Sequence, residues 1–504
     1  MRNLFGPLFI AASIFSSTPS LAVYFSGNGH FALRGESRTA PGFQSGTGTY
    51  QAIDRSFAML AEARLNENAS IFLDTRLNTT GDTLGNTATT STGCSVGDTC
   101  SEPFTGDSSY EPFFIGVQQA YAKVGTDYCL ISAGRRARDW GLGIYLDSGS
   151  DAFETSQSVF DGVTCDVNIQ KSQNLGFSIG YDKISEGNPL FLGDDLDQIF
   201  ITVEFDDRST SSTYSKHIAL YLASISSGNG DSIGSVDYKV FDLYAAFYLG
   251  NISLMSEAVF RTGKSEEAKW SEFGGSGTAN HDIDAISFGL KAEWAFSSSG
   301  TTIGVKPYQS GSASKHIASF EYYRAPGDSD GYYKGADPTV GIDNVSSSAA
   351  EAYRFNKNFK PAILLFNGRQ DSNDMTISGV YENDAVVNAS IFSIGYRYES
   401  IESGIFSAKI VSASMNESIP SEVEQFFDSS AAPSDYHALA GAYPVGYFGT
   451  DIGTEIDLSY TMKFSNSFTL ELAGAYAMPG SALQISDESP EENMAVQTTF
   501  NMNF

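Results

Sequence analysis

Apolar side chains in this chain recur at every second position, in short segments that come two at a time. Phe57, Met59, Ala61, Ala63 and Leu65 alternate with Ser56, Glu62 and Arg64. Beyond the turn Asn66–Asn68, Ala69, Ile71, Leu73 and Leu77 alternate with Ser70, Asp74 and Arg76. A period of two marks a β-strand whose faces meet different surroundings, and a short polar turn between two such runs makes a hairpin. The design repeats in Ile199–Phe205 with Ile218–Leu222, in Phe241–Leu249 with Leu254–Phe260, and in Ile456–Phe464 with Phe468–Tyr476. A further pair is expected from Ile286–Phe296 through Ser297–Gly300 to Ile303 and Val305.

Short turns alternate with long polar connections at about 78–113, 137–158, 263–280, 310–387 and 416–451. A sandwich has no reason to gather its long loops at one end of its strands. A barrel crossing a Gram-negative outer membrane does, with short periplasmic turns and long external loops. The segments also have the length of a tilted crossing, ~9–11 residues. No backbone N–H or C=O can stay unpaired in hydrocarbon, so such a sheet must close on itself. The expected fold is all-β: one closed antiparallel transmembrane β-barrel of about 18 strands, with about 16 as the alternative. Strand starts fall near 29, 56, 69, 114, 128, 159, 174, 196, 214, 236, 252, 281, 301, 388, 404, 452, 467 and 492. Long loops tend to be functional or disordered, and 310–387 holds the apolar piece Ala362–Phe366; part of it is expected to fold into the lumen and narrow it.

The N-terminus fits export. Arg2, the apolar run Leu4–Phe15 and the small residues before Ala22 read as a signal peptide over 1–22, leaving 23–504 as a single barrel domain. The run is too short to span a bilayer as a helix. The formal net charge of −30 argues against nucleic acid as a partner, which needs a basic face. Four cysteines suit an oxidising compartment. Of three possible connectivities, Cys94–Cys100 in one polar loop and Cys129–Cys165 on consecutive strands are favoured, with free buried thiols as the alternative.

The chain closes on "AVQTTFNMNF", with Met494, Val496, Thr498, Phe500, Met502 and Phe504 on one face. This is the expected closing strand, its even positions outward. The terminal Phe504, with Phe500 and Met502 at alternate positions before it, resembles the C-terminal signal read by the barrel-assembly machinery. Three stretches resemble alginate-export-like and related porin-like channels: "ISAGRRARDWGLGIYLDSG" (131–149), "RFNKNFKPAILLFNG" (354–368) and "GTEIDLSYTMKFSNSFTLELAGAYAMPGSA" (453–482). The resemblance implies a channel barrel in the cell outer membrane, needing no cofactor. It does not carry a substrate across, because an exporter of polyanions lines its lumen with arginines and the inward set here is mixed in sign. That set is Arg64, Arg76, Arg261, Lys291, Arg397, Lys409 and Lys463 beside Glu62, Asp74, Glu204, Asp242, Glu257, Glu293, Glu399, Glu455, Asp457 and Glu471.

Among these, Arg64, Arg76, Glu62, Asp74, Glu257, Arg261, Arg397, Glu455 and Asp457 are the pore candidates, joined by Arg135, Arg136 and Arg138 at the external end of the fifth strand. Arginines opposed to carboxylates across a lumen set up a field that filters small polar solutes. The competing expectation pairs the three arginines with lipopolysaccharide phosphates or loop carboxylates. Trp140, Trp294, Tyr396, Tyr398, Tyr460 and Tyr476 are expected in aromatic girdles. The five histidines stand near no nucleophile in a recognisable spacing, and no GxSxG, HExxH or phosphate-binding loop occurs, so neither catalytic nor metal residues are expected. The expectation is a porin-like passive channel for small hydrophilic solutes, with outer-membrane lipid, lipopolysaccharide and the assembly machinery as partners and the oligomeric state open. A surface barrel of structural or adhesive role, plugged by its loops, and an exporter of a secreted polymer are the alternatives.

Overall fold

The fold is described from a computed structural model, which covers residues 23–39, 49–83, 116–149, 152–153, 158–170, 174–185, 196–207, 214–227, 236–269, 277–297, 314–327, 349–350, 355–356, 359–366, 381–382, 385–386, 388–400, 404–417, 449–465, 467–483 and 490–504. Eighteen long strands carry it. They are β1 (Tyr24–Thr39), β2 (Thr49–Asn66), β3 (Ala69–Thr83), β4 (Gly116–Gly125), β5 (Leu130–Ala137), β6 (Val159–Gln170), β7 (Leu175–Ser185), β8 (Leu196–Asp206) and β9 (Tyr214–Ser227). There follow β10 (Val236–Leu249), β11 (Ile252–Lys269), β12 (Gly277–Ser297), β13 (Lys315–Ala325), β14 (Ala389–Ser400), β15 (Gly404–Met415), β16 (Asp451–Ser465), β17 (Phe468–Pro479) and β18 (Asn493–Asn503).

Each strand pairs antiparallel with its neighbours in sequence, and β18 pairs with β1 from His30↔Asn503 to Arg38↔Ala495. Two further bonds seal the seam at the last residue: Gly29 N–H to the Phe504 carbonyl at 2.9 Å, and Phe504 N–H to the Gly29 carbonyl at 3.0 Å. The sheet therefore has no edge along its ring. Alternation sorts the faces as the sequence predicts. Ile71, Leu73, Ile199, Leu243, Leu254, Ile286, Ile394, Ile410, Leu458, Val496 and Met502 point outward and are exposed, making an apolar band. At the short-turn end this band carries an aromatic group on β12–β14: Trp294, Phe296, His316, Tyr396 and Tyr398, with ring centroids 4.9–6.0 Å apart.

The core lies inside the ring. A ring of 18 strands is too wide for its own side chains to fill, and here chain from the long-loop end enters it. Trp140, Ile144 and Leu146 from one segment, and Phe355, Leu364, Leu365 and Phe366 from another, pack on Tyr221, Val240, Val259 and Tyr323 of β9–β13 and on Val411, Ala413, Ala475, Ala477 and Ala495 of β15–β18. Beneath these segments many wall side chains are small or apolar, with the buried carboxylates of Glu257 and Glu455 among them. The expected inward fold of Ala362–Phe366 is thus observed.

The strand expected near 301 is displaced. Lys315–Ala325 is the partner of β12, from Phe288↔Arg324 to Ser297↔Lys315, so the connection expected at 310–387 contains a barrel strand. Ile317 and Tyr323 on the inward side of β13 are buried, and these apolar residues beside the inward Glu321 blur the alternation that locates strands from sequence. The connection expected at 263–280 shrinks likewise, because β11 and β12 stay paired out to Lys269↔Gly277. Polar residues continue a ladder once its backbone partners are in register, although hydropathy no longer alternates.

Candidate functional site

Residues 138–149 leave β5 and turn into the lumen. The Trp140 N–H donates to the Leu146 carbonyl at 3.1 Å, closing a compact turn. Glu257 of β11, fully buried, receives that turn: its carboxylate accepts from the N–H groups of Leu142, of Ile144 at 3.5 Å and of Tyr145 at 3.3 Å. Gly141 makes this approach feasible, since its φ is +61° and a Cβ there would lie 2.4 Å from Glu257 Oε2. Gly289, directly opposite Glu257 on β12, leaves room for the Ile144 side chain, which would meet a Cβ at 2.5 Å. The far end of the segment reaches the opposite wall, where Arg76 of β3 donates to the Gly149 carbonyl and the Arg34 guanidinium stacks 4.4 Å over Phe153.

A second segment, 355–366, is held by the same device. Glu455 of β16, also fully buried, accepts from Leu364 N–H at 2.7 Å and Leu365 N–H at 2.6 Å. Lys409 of β15 donates to the Pro361 carbonyl at 3.0 Å. The two segments meet at Asn356, whose N–H donates to the Ile144 carbonyl at 2.8 Å and whose side-chain amide donates to Ser158 at 2.9 Å. Both anchors adjoin the apolar band, since Leu254 and Phe260 flank Glu257, and Ile456 and Leu458 follow Glu455, on the outward face.

Much of the remaining inward surface carries paired charges. On one side stand Arg34–Asp54 at 2.9 Å, Arg76–Asp74 at 3.8 Å, Arg136–Asp166 at 3.8 Å and Arg138–Asp182 at 2.5 Å. On the other are Lys291–Glu321 at 3.6 Å, Lys409–Glu321 at 2.8 Å and Arg397–Glu399 at 2.8 Å. Strands β3 and β12 are nine apart in a ring of eighteen, so these two charged walls face one another across the lumen.

The structure therefore brings Arg76, Asp74, Arg136, Arg138, Arg397 and Asp457 to the lumen wall. Arg261 lies near Tyr145 and Tyr238, 5.9 and 5.8 Å from their ring centroids. Glu62 and Arg64 pair at 3.3 Å near the short-turn end of β2, away from the segments. Glu257 and Glu455 are inward as expected, but they bind loop backbone instead of facing the open lumen. Arg135 is a correction: its place in β5 is on the outward face, where Nε and a terminal nitrogen donate to Asp161 at 3.0 and 2.7 Å. Trp140 is another, since it is buried inside the ring beside Tyr221 and belongs to no girdle. Cys129 and Cys165 form a disulfide with Cα atoms 5.6 Å apart, while Cys94 and Cys100 fall outside the described residues. Sequence reasoning missed Asp54, because β2 begins earlier than the expected start near 56, and with it the partner of Arg34; it also passed over Asn356, whose role depends on a contact between two segments distant in sequence.

No family model and no curated protein matches the chain. Solved structures similar to it include the outer membrane protein OprD from Pseudomonas aeruginosa, with 10% identity over 97% of this chain and 95% of that one and a TM-score of 0.47. A BenF-like porin from Pseudomonas fluorescens Pf-5 has 12% identity over 95% and 98%, with a TM-score of 0.47. Pseudomonas aeruginosa OccK2 (OpdF) has 11% identity over 95% and 97%, with a TM-score of 0.45.

Proposed function

We propose that this chain is a porin-like channel of the outer membrane, through which small hydrophilic solutes diffuse passively. One observation carries the reading: a closed ring with an apolar outside encloses two facing charged walls, with two backbone segments pinned between them by buried glutamates. An exposed apolar band around a closed sheet fits lipid. Charged walls fit water, and opposed pairs such as Arg76–Asp74 and Lys409–Glu321 fit a filter for small polar molecules. On this reading the short-turn end is periplasmic, the long-loop end meets lipopolysaccharide, and the terminal Phe504 is read by the assembly machinery. The reading assigns no role to a cofactor or to a catalytic group. The mixed charge of the walls gives no support to export of a polyanion.

A plugged structural barrel has its own support in the apolar packing of Phe355, Leu365 and Phe366 inside the ring, all nearly inaccessible. Conductance of the purified protein in a planar bilayer decides between the two. Discrete open-channel steps are expected. A silent protein that conducts only after 355–366 is cut away would mean a plugged barrel.

A further inference from the structure

The outward face carries one feature that a channel does not require. At the long-loop end of β5–β8, a single lateral row of cross-strand neighbours reads Arg135, Asp161, Lys183 and Asp197. The row continues through Ser226 and Asp237 to Lys264 on β11. Two residues towards the short turns, the same four strands present Ala133, Val163, Tyr181 and Ile199, the last three 50%, 47% and 59% exposed. The change from oil-facing to charged thus occurs within one step of the pleat. Lys or Arg on the lipid side of a barrel costs about 2–4 kcal/mol at mid-bilayer and about 0–1 at the interface, so this row marks the headgroup level. The signs alternate. A dent of about 380 Å³ opens over the row, with Val117 and Val159 among its apolar walls and Arg135, Asp161 and Lys183 among its polar ones. Farther along the row, Asp197 Oδ1 is shielded and accepts no hydrogen bond among the described residues.

We infer that this row binds the phosphorylated glycolipid of the outer leaflet together with its divalent cations. Arg135 and Lys183 meet phosphate oxygens, which guanidinium and ammonium groups bind well. Asp161 and Asp197 would repel phosphate alone but share a divalent cation with it through hard oxygen ligands. An amphiphile is required because the row adjoins exposed Val163 and Ile199, where acyl chains continue the contact. The opposite end of the band is different in kind, with its aromatic group of Trp294, His316 and Tyr396. The inference rests on the outer-membrane reading and adds the site and its ligand.

The test uses the full barrel in detergent micelles and follows the temperature at which its heat-dependent gel mobility shift is lost. Lipid A with Mg²⁺ is expected to raise that temperature by several degrees more than phosphatidylglycerol with Mg²⁺ does, and EDTA is expected to remove most of the difference. The double variant Arg135→Ala/Lys183→Ala, still showing the mobility shift, loses most of the increment, whereas Lys216→Ala near the short-turn end keeps it. Equal stabilisation by phosphatidylglycerol, or by inorganic phosphate with Mg²⁺, overturns the inference, as does an increment unchanged in the double variant; the row is then a self-neutralising ladder. Absence of any mobility shift in the parent protein removes the barrel reading itself, and the inference with it.

Discussion

Glu455 shows how much one side chain holds in place. Its two oxygens take the N–H groups of two consecutive residues, Leu364 and Leu365, in a site closed to water. Removing the carboxylate leaves two buried donors unpaired, at about 1–3 kcal/mol each, enough to release a short segment from the wall. Glu455→Ala is therefore expected to raise single-channel conductance, and Glu455→Gln, which keeps one acceptor oxygen and turns an NH₂ group on the second donor, to raise it less. Unit conductance unchanged in both variants would remove Glu455 as the anchor. The arginine run 135–138 gives a second prediction. Arg136→Ser/Arg138→Ser removes two inward cations beside Asp166 and Asp182 and should shift ion selectivity towards cations, while Arg135→Ser, outward on Asp161, should not. Reversal potentials across a salt gradient check both. That split was legible in the sequence, because a period of two places residues 136 and 138 on one face and 135 on the other. Grouping the three as one motif hid it. The anchoring role of Glu257 was not legible, since its partners lie more than a hundred residues away in a turn with no strand period.

At the level of elements, alternation identified strands well wherever one face met oil and the other met water. It failed at β13, where the inward face is mixed: Glu321 pairs with Lys291 and Lys409, whereas Tyr323 packs edge-on against Phe359 at 4.6 Å between ring centroids. A strand whose inward face mixes apolar and polar residues carries no clean alternation, and the strand expected at Ile303 and Val305 lies outside the described residues. The link between β4–β5 and β6 is of another sort. The disulfide Cys129–Cys165 closes a loop across 36 residues, and by chain entropy such a crosslink contributes about 3–4 kcal/mol. Replacing both cysteines with serine is expected to lower the temperature of the mobility shift under non-reducing conditions, and reductant should do the same to the parent but not to the variant. A parent insensitive to reductant would show that the sheet alone holds these strands.

Charge has to be weighed over the whole molecule. The sequence carries 60 acidic and 30 basic residues, yet the inward cations named on the two facing walls each have an acidic partner, as in Arg34–Asp54 and Lys409–Glu321. These pairs therefore lend the lumen little net sign. Much of the surplus must lie elsewhere, and the connection 418–448 between β15 and β16 carries Glu422, Glu424, Asp428 and Asp435. Fixed charge at a mouth acts on ions at a distance and is screened over about 10 Å at 0.1 M salt but about 3 Å at 1 M. Charge lining a constriction is met at contact and is screened far less. The channel is accordingly expected to prefer cations at 0.1 M and to approach neutrality at 1 M. Reversal potentials at fixed concentration ratio and rising mean salt measure this directly. A cation preference that persists at 1 M would place unpaired carboxylates in the narrow lumen, against the pairing that the structure shows on both walls.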